Sequence, residues 1–264
     1  MNILFLGDIF GKPGRICTGK EIMNLVKKYD VDVVIANGEN AAGGIGINPN
    51  IANSLLNLGI DVLTSGNHIY KKREIYDYLR TEPRLLKPAN FPPGTPGNGF
   101  YLFSNHKTSG RKVAVTNICG RVFIENLDCP FRTIDAILQI LTRETNIIIV
   151  DFHAEVTSEK MAMGWYLDGR VSAVIGTHTH VQTADERILP KGTAYISDVG
   201  MVGPRDSVIG VKKELVIERF IKMMPQKFTV ANDDNWVNGV LIKIDNDTGH
   251  ATSINRLNYR VDMN

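Results

Sequence analysis

Over the first eighty residues, short apolar runs alternate with amphipathic stretches. The run "NILFLG" (2–7) reads as a strand, and a helical period follows from Pro13 to Tyr29, with proline acceptable near a helix start. "VDVVIAN" (31–37) is rich in β-branched residues and reads as a buried strand. Asn48-Pro49 opens a second helix as N-cap and first residue, and Gly59 closes it. "IDVLTSG" (60–66) is a third strand and "YKKREIYDYLR" (70–80) a third helix. This βαβαβα order predicts parallel strands. The Pro/Gly-rich stretch 85–100 reads as a loop, and "FYLFS" with "RKVAVTNICG" (111–120) as an antiparallel pair. A helix over "TIDAILQILTRE", the strand "NIIIVDFHA", a helix capped by Thr157, the strand "RVSAVIGTHTH" and the segment "TAYISDVG" follow. Two strands around an Asn/Asp/Gly turn close the chain. No internal repeat, low-complexity tract or linker interrupts the pattern, so one domain over 1–264 is expected.

Almost every core strand of this reading ends in a polar, chemically capable side chain. Strand one runs into Asp8, strand two into Glu39 and Asn40, and strand three into Asn67 and His68. The strand before residue 156 carries Asp151, His153 and Glu155, and "GTHTH" carries His178 and His180. Residues i and i+2 of an extended backbone point to one side, so the last two rings are expected to share one space past a strand end. Taken singly, each residue has an ordinary explanation: Asp8 as a turn former, Glu39 as a solvated loop residue, Asn67 as a turn residue beside Gly66, His153 as a core histidine. Together they are harder to dismiss, because four of the six histidines fall at strand ends. His106 and His250 join no cluster. The carboxyl ends of strands are where open α/β sheets bind ligands. Oxygen and imidazole donors without thiolate suit Fe, Mn, Zn or Co, and there are more of them than one tetrahedral ion needs. A bridged ion pair uses such a set and suits phosphoryl chemistry.

Composition narrows the picture. Thirty Lys+Arg against 28 Asp+Glu give a net charge of +2, with no large basic surface for nucleic acid. No stretch approaches the ~20 apolar residues of a membrane span. "MNILFLGD" is too short for a signal peptide, so a cytoplasmic protein is expected. Cys17, Cys119 and Cys129 are too few and scattered for a disulfide framework and are expected as small buried hydrophobes. The glycines of 41–47 suit either a phosphate cradle or a connector, Arg205 in "GPRDS" either a substrate contact or a solvated turn. Asp151 and Glu155 are candidates to orient ligating imidazoles.

"GD" near the N-terminus, "GNH" some sixty residues later, a lone histidine after an apolar strand and "GTHTH" resemble the calcineurin-like binuclear metallophosphoesterases. "LGDIFGKPGR", "ANGENAAGGIGI", "SGNHIYKKRE", the run 150–190 and "YISDVGMVGPRDSVIG" are similar to their YmdB-type branch, a bacterial group of 2′,3′-cyclic-nucleotide phosphodiesterases. The usual Asp-x-His is here Asp8-Ile9-Phe10, and the usual Gly-Asp-x-x-Asp is Gly38-Glu39-Asn40; both are features of that branch. The resemblance implies an α/β fold: two mixed sheets packed as a β-sandwich and flanked by helices, four layers ordered αββα. It implies two divalent or trivalent transition-metal ions, iron first and manganese or zinc as alternatives. Asp8, Glu39, Asn40 and His180 would hold one ion. Glu39 would bridge to the other, completed by Asn67, His153 and His178. His68 would be a general acid, and a metal-bridging hydroxide would attack a cyclic nucleotide in line. A 5′-nucleotidase or other phosphomonoesterase and a non-catalytic metal-binding regulator are the rival readings. An amidohydrolase is disfavoured, because its His-x-His would lie on the first strand. Whether the chain forms a homo-oligomer is left open.

Overall fold

The computed structural model describes residues 1–262. In chain order the elements are β1 (Asn2–Leu6), β2 (Asp8–Ile9), α1 (Gly11–Lys28), β3 (Val33–Asn37), α2 (Pro49–Asn57), β4 (Val62–Thr64), α3 (Ile75–Thr81), β5 (Phe100–Phe103) and β6 (Val113–Cys119). There follow α4 (Pro130–Leu141), β7 (Ile148–His153), α5 (Thr157–Leu167), β8 (Ala173–Thr177), β9 (Arg187–Ile188), β10 (Ala194–Ile196), β11 (Met201–Pro204), α6 (Lys213–Lys222), β12 (Asn235–Ile244) and β13 (Ala251–Arg260).

One sheet runs β2-β11-β12-β1-β3-β4, with β13 added to β12; the other runs β5-β6-β7-β8-β10-β9. β1, β3 and β4 are parallel, as are β6, β7, β8 and β10, while the terminal hairpin β12–β13 and the pair β5–β6 are antiparallel. The period of two in the strands creates the layers. Ile3, Phe5, Val33 and Ile35 face Val113, Val115, Ile149 and Ile175 in the core between the sheets. The alternate residues Leu4, Leu6, Val34 and Ala36 pack under helices α1 to α3, through Ile22, Leu25, Leu55 and Leu79. On the far side Ile148, Val150 and Phe152 pack under α4 and α5, through Ile134, Leu138, Met163 and Leu167. Both sheets are thus covered on both faces, the αββα arrangement the resemblance implied.

Asn48 caps α2 as expected, accepting from the Ile51 amide, and Gly59 follows with φ +100°. Elsewhere the boundaries move. α1 begins at Gly11, two residues before Pro13. α3 starts only at Ile75, because residues 70–74 form turns that carry the chain away from the strand end. Thr157 is the first residue of α5 rather than its cap; Val156 occupies that place without a side-chain bond. α6 was not anticipated; Val216, Ile217, Phe220 and Ile221 recur at helical spacing, yet Val216 alone among its residues is buried. Cys17 and Cys119 are buried free thiols, and Cys129 is half-buried. Among the described residues no helix is long and apolar enough to cross a membrane.

Candidate metal centre

The parallel strands point their carboxyl ends to one edge of the sandwich. Asp8 opens β2, Glu39 and Asn40 follow β3, Asn67 and His68 follow β4, His153 ends β7, and His178 and His180 follow β8. All eight residues meet there. Glu39 Oε1 lies 3.2 Å from His153 Nε2 and 3.4 Å from His68 Nδ1. His153 Nε2 is also 2.9 Å from His178 Nδ1 and 3.2 Å from Asn67 Oδ1. His180 Nε2 lies 3.1 Å from Asn40 Nδ2 and 3.7 Å from Asp8 Oδ1. Glu39, His153 and His178 offer donor atoms all within 4.8 Å of one another.

The two rings of "HTH" converge by a route other than an extended backbone. β8 ends at Thr177, and His178 and His180 have φ of +110° and +65°. Asp198 turns the chain there: its carboxylate accepts from the Thr179 amide at 3.0 Å, and the buried Lys160 ammonium binds the same oxygen at 2.6 Å. Sequence reasoning missed both residues. Asp198 lies in the quoted "YISDVG", but an acidic residue two positions past a short strand carries no signal of its own.

Neighbouring groups decide which nitrogen of each ring faces the centre. Thr177 donates to Asp151 at 2.6 Å, so its hydroxyl oxygen accepts from His153 Nδ1 at 2.9 Å. Glu155 takes His178 Nε2 at 3.0 Å, and the Ile209 carbonyl takes His180 Nδ1 at 2.9 Å. In the neutral rings the inward nitrogens, His153 Nε2, His178 Nδ1 and His180 Nε2, therefore carry lone pairs. Two lone pairs facing each other at 2.9 Å repel, so this contact calls for a shared proton or, in its place, a metal ion. Asp8 Oδ1 is buried without any hydrogen-bond partner, a costly state for a carboxylate and an ordinary one for a metal ligand. Glu39, His153 and His178 thus form a donor set of the kind that holds a metal ion, with the Asp8 carboxylate close by. Asn40 presently aims Nδ2 at Glu39 and Oδ1 at His68, so ligation through Oδ1 takes a half-turn of its amide.

Electrostatics agree with the crowding. Burial pushes Asp8 well above the usual carboxylate range, and burial raises Asp151 to about 6. For Glu39 burial acts upward too, but the His153 charge and hydrogen bonds from His153 and His68 outweigh it and hold the carboxyl well below its ordinary value. His153 is raised to about 9, because Glu39 overcomes the opposing effect of burial. Burial and the His153 charge push His178 down to about 3, and burial lowers His180.

A cleft of about 710 Å³ opens over Glu39, Asn40, His68, His178 and His180. Phe10 lines the cleft as well. It packs edge-on against His180 at 5.3 Å between ring centroids, wedged against Gly44 and Gly210, where an added Cβ would lie 2.9 Å and 2.4 Å from its ring. The loop 41–47 lines the cleft, but the amides of Ala41, Ala42 and Gly44 are spent on the carbonyls of Gly38, Gly46 and Asn40, as in a connector. Arg205 is not brought to this cleft. It stacks on Trp236 at 3.9 Å and lines a smaller cavity of about 210 Å³ on the other side of His180 and Ile209.

Known proteins match over almost the whole chain. The chain is 49% identical over 257 residues to a Bacillus subtilis protein named 2′,3′-cyclic-nucleotide 2′-phosphodiesterase, covering 97% of this chain and 96% of that one. A solved Mycoplasma pneumoniae structure described as a novel phosphatase superposes with a TM-score of 0.92 at 34% identity, covering 98% of this chain and 93% of that one. A Thermus thermophilus structure described as a hypothetical protein superposes with a TM-score of 0.91 at 39% identity, covering 98% of this chain and 99% of that one. The family model described as YmdB-like protein matches residues 4–257, and the chain belongs to that family.

Proposed function

We propose that this protein is a metal-dependent phosphodiesterase that opens 2′,3′-cyclic nucleotides to 3′-nucleotides at a two-metal centre. The reading is supported by the facing nitrogens of His153 and His178 beside the unpartnered Asp8 carboxylate oxygen. The name of the Bacillus subtilis relative supports the substrate class, and the phosphatase description of the Mycoplasma pneumoniae structure supports phosphoric-ester hydrolysis. Asp8, Glu39, Asn40 and His180 would hold one ion, and Glu39, Asn67, His153 and His178 the other. Bound ions supply Lewis acidity toward the phosphoryl oxygens and lower the pKa of water. The residues do the rest. Thr177, Glu155 and the Ile209 carbonyl lock the three imidazoles with lone pairs inward. His68 lines the cleft, its Nδ1 held by Asn40 and Glu39, with Nε2 unbonded among the described residues. As a water oxygen attacks phosphorus in line and gives up a proton to solvent, the bond from phosphorus to O2′ breaks, and His68 in its imidazolium form gives the Nε2 proton to O2′ and takes one back from solvent.

The test is turnover of cyclic and linear nucleotides by metal-loaded protein, with products separated by chromatography. The 3′-nucleotide from a 2′,3′-cyclic substrate is the expected product. Release of inorganic phosphate from 5′-nucleotides, with the cyclic ester untouched, would replace this reading by a phosphomonoesterase.

A further inference from the structure

One wall of the cleft supplies no side chain to the metal centre. It is built by α6 and the segments around it: Val208, Ile209, Val216, Phe220, Phe228 and Val230 face the polar floor. Several of these side chains are open to solvent, Phe220 at 72% and Ile209 at 52%. Exposed apolar surface rimming a polar centre marks a ligand groove. Arg219 is the one Lys or Arg on the cleft among the described residues, and its planar guanidinium lies 5.2 Å over the Phe228 ring. Flat aromatic and guanidinium faces therefore stand next to a floor suited to phosphate.

We infer that this wall is a nucleobase subsite, in which Phe220, Phe228 and Arg219 stack the base of a mononucleotide whose phosphate sits on the floor. The inference rests on the proposed phosphodiesterase reading for the position of the phosphate. A nucleotide has the matching polarity, anionic at one end and flat and weakly polar at the other. Aromatic stacking is tolerant of base identity because every base has a π-face. The wall carries no Asn, Gln, Asp or Glu to read a base edge; its polar groups are Thr229 and Arg219. Selectivity among the four bases is accordingly weak, within about tenfold.

Phe220 is exposed, so its replacement leaves the fold intact. Binding of adenosine 3′-monophosphate and of inorganic phosphate to metal-loaded protein is compared by calorimetry for wild type, Phe220→Ala and Phe220→Trp. Phe220→Ala is expected to weaken the nucleotide roughly 5–150-fold. Inorganic phosphate should bind as before, and Phe220→Trp should restore the nucleotide. Equal weakening of both ligands, unchanged nucleotide affinity, or a wild type that binds the nucleotide no better than phosphate overturns the subsite. A loss of molar mass in sedimentation for Phe220→Ala, with nucleotide binding intact, makes the wall a contact between copies and also overturns it. If wild type binds the nucleotide through Phe220 yet turns over no cyclic nucleotide, the proposed function fails and the subsite stands.

Discussion

Lys160→Met probes what holds the two histidines of "HTH" in place. Lys160 and Asp198 are both almost fully buried, and their charged atoms meet at 2.6 Å. Removing one partner of a buried pair leaves the other charge uncompensated, at a cost of about 3–5 kcal/mol. Asp198 retains two amide donors, Thr179 at 3.0 Å and Gly200 at 2.9 Å, which places the expectation at the lower end, about 3 kcal/mol. At about 2–4 °C per kcal/mol for a chain of this size, the melting temperature falls by roughly 6–12 °C. Neutralising Asp198 as well removes the stranded charge but leaves an acceptor for Thr179. Lys160→Met with Asp198→Asn should therefore recover about half of the loss. Urea denaturation of chelated protein measures folding apart from metal linkage, and elemental analysis of the folded fraction reports the site. Because Thr179 lies between His178 and His180, Lys160→Met should also lower metal content. A cost under about 1 kcal/mol, or strict additivity in the double variant, would refute the clamp.

His68→Ala should keep both ions and lose about 10²–10⁴-fold on 2′,3′-cyclic nucleotides, with a far smaller loss on a nitrophenyl ester whose leaving group needs no proton. Equal losses on both substrates would rule out the acid role. Glu39→Gln should reduce metal at both positions and Asn67→Ala chiefly at one, read by elemental analysis; full loading of Glu39→Gln would break the bridge assignment. Thr177→Val removes the acceptor of His153 Nδ1 and should weaken metal binding about 10–100-fold, as replacement of such supporting partners does. Without metal, His153 titrates at about 9 and is protonated at neutral pH. Metal loading must displace that proton, so affinity should rise about tenfold per pH unit up to that value. Calorimetry in two buffers of different ionisation enthalpy counts the proton, and a count of zero contradicts the assignment of His153 as a ligand.

Much of this was legible in the chain because strands write their environment locally. Alternating Ile3, Leu4, Phe5 and Leu6 are apolar throughout, which is how a strand covered on both faces must read, and the abrupt change to Asp8 marks its end. The same change after "VVIAN", "VLT" and "AVIGT" located the other loops, so the residue types of the centre could be collected without knowing their distances. What the sequence could not decide depends on groups far apart in the chain. The positive φ values of His178 and His180 flank Thr179, whose amide Asp198 holds with Lys160 behind it, and no periodicity records that contact. The wall of the cleft escaped notice although Val216, Ile217, Phe220 and Ile221 recur at helical spacing, because that spacing does not say that the face they form borders a cleft rather than a core. Arg205 sits near His180 in space but behind it, a distinction of side that only packing against Trp236 makes. Local pattern determined the strands, their ends and the donor types. Tertiary contacts decided which lone pairs face inward, because a histidine's inward nitrogen is chosen by the acceptor that holds the other one.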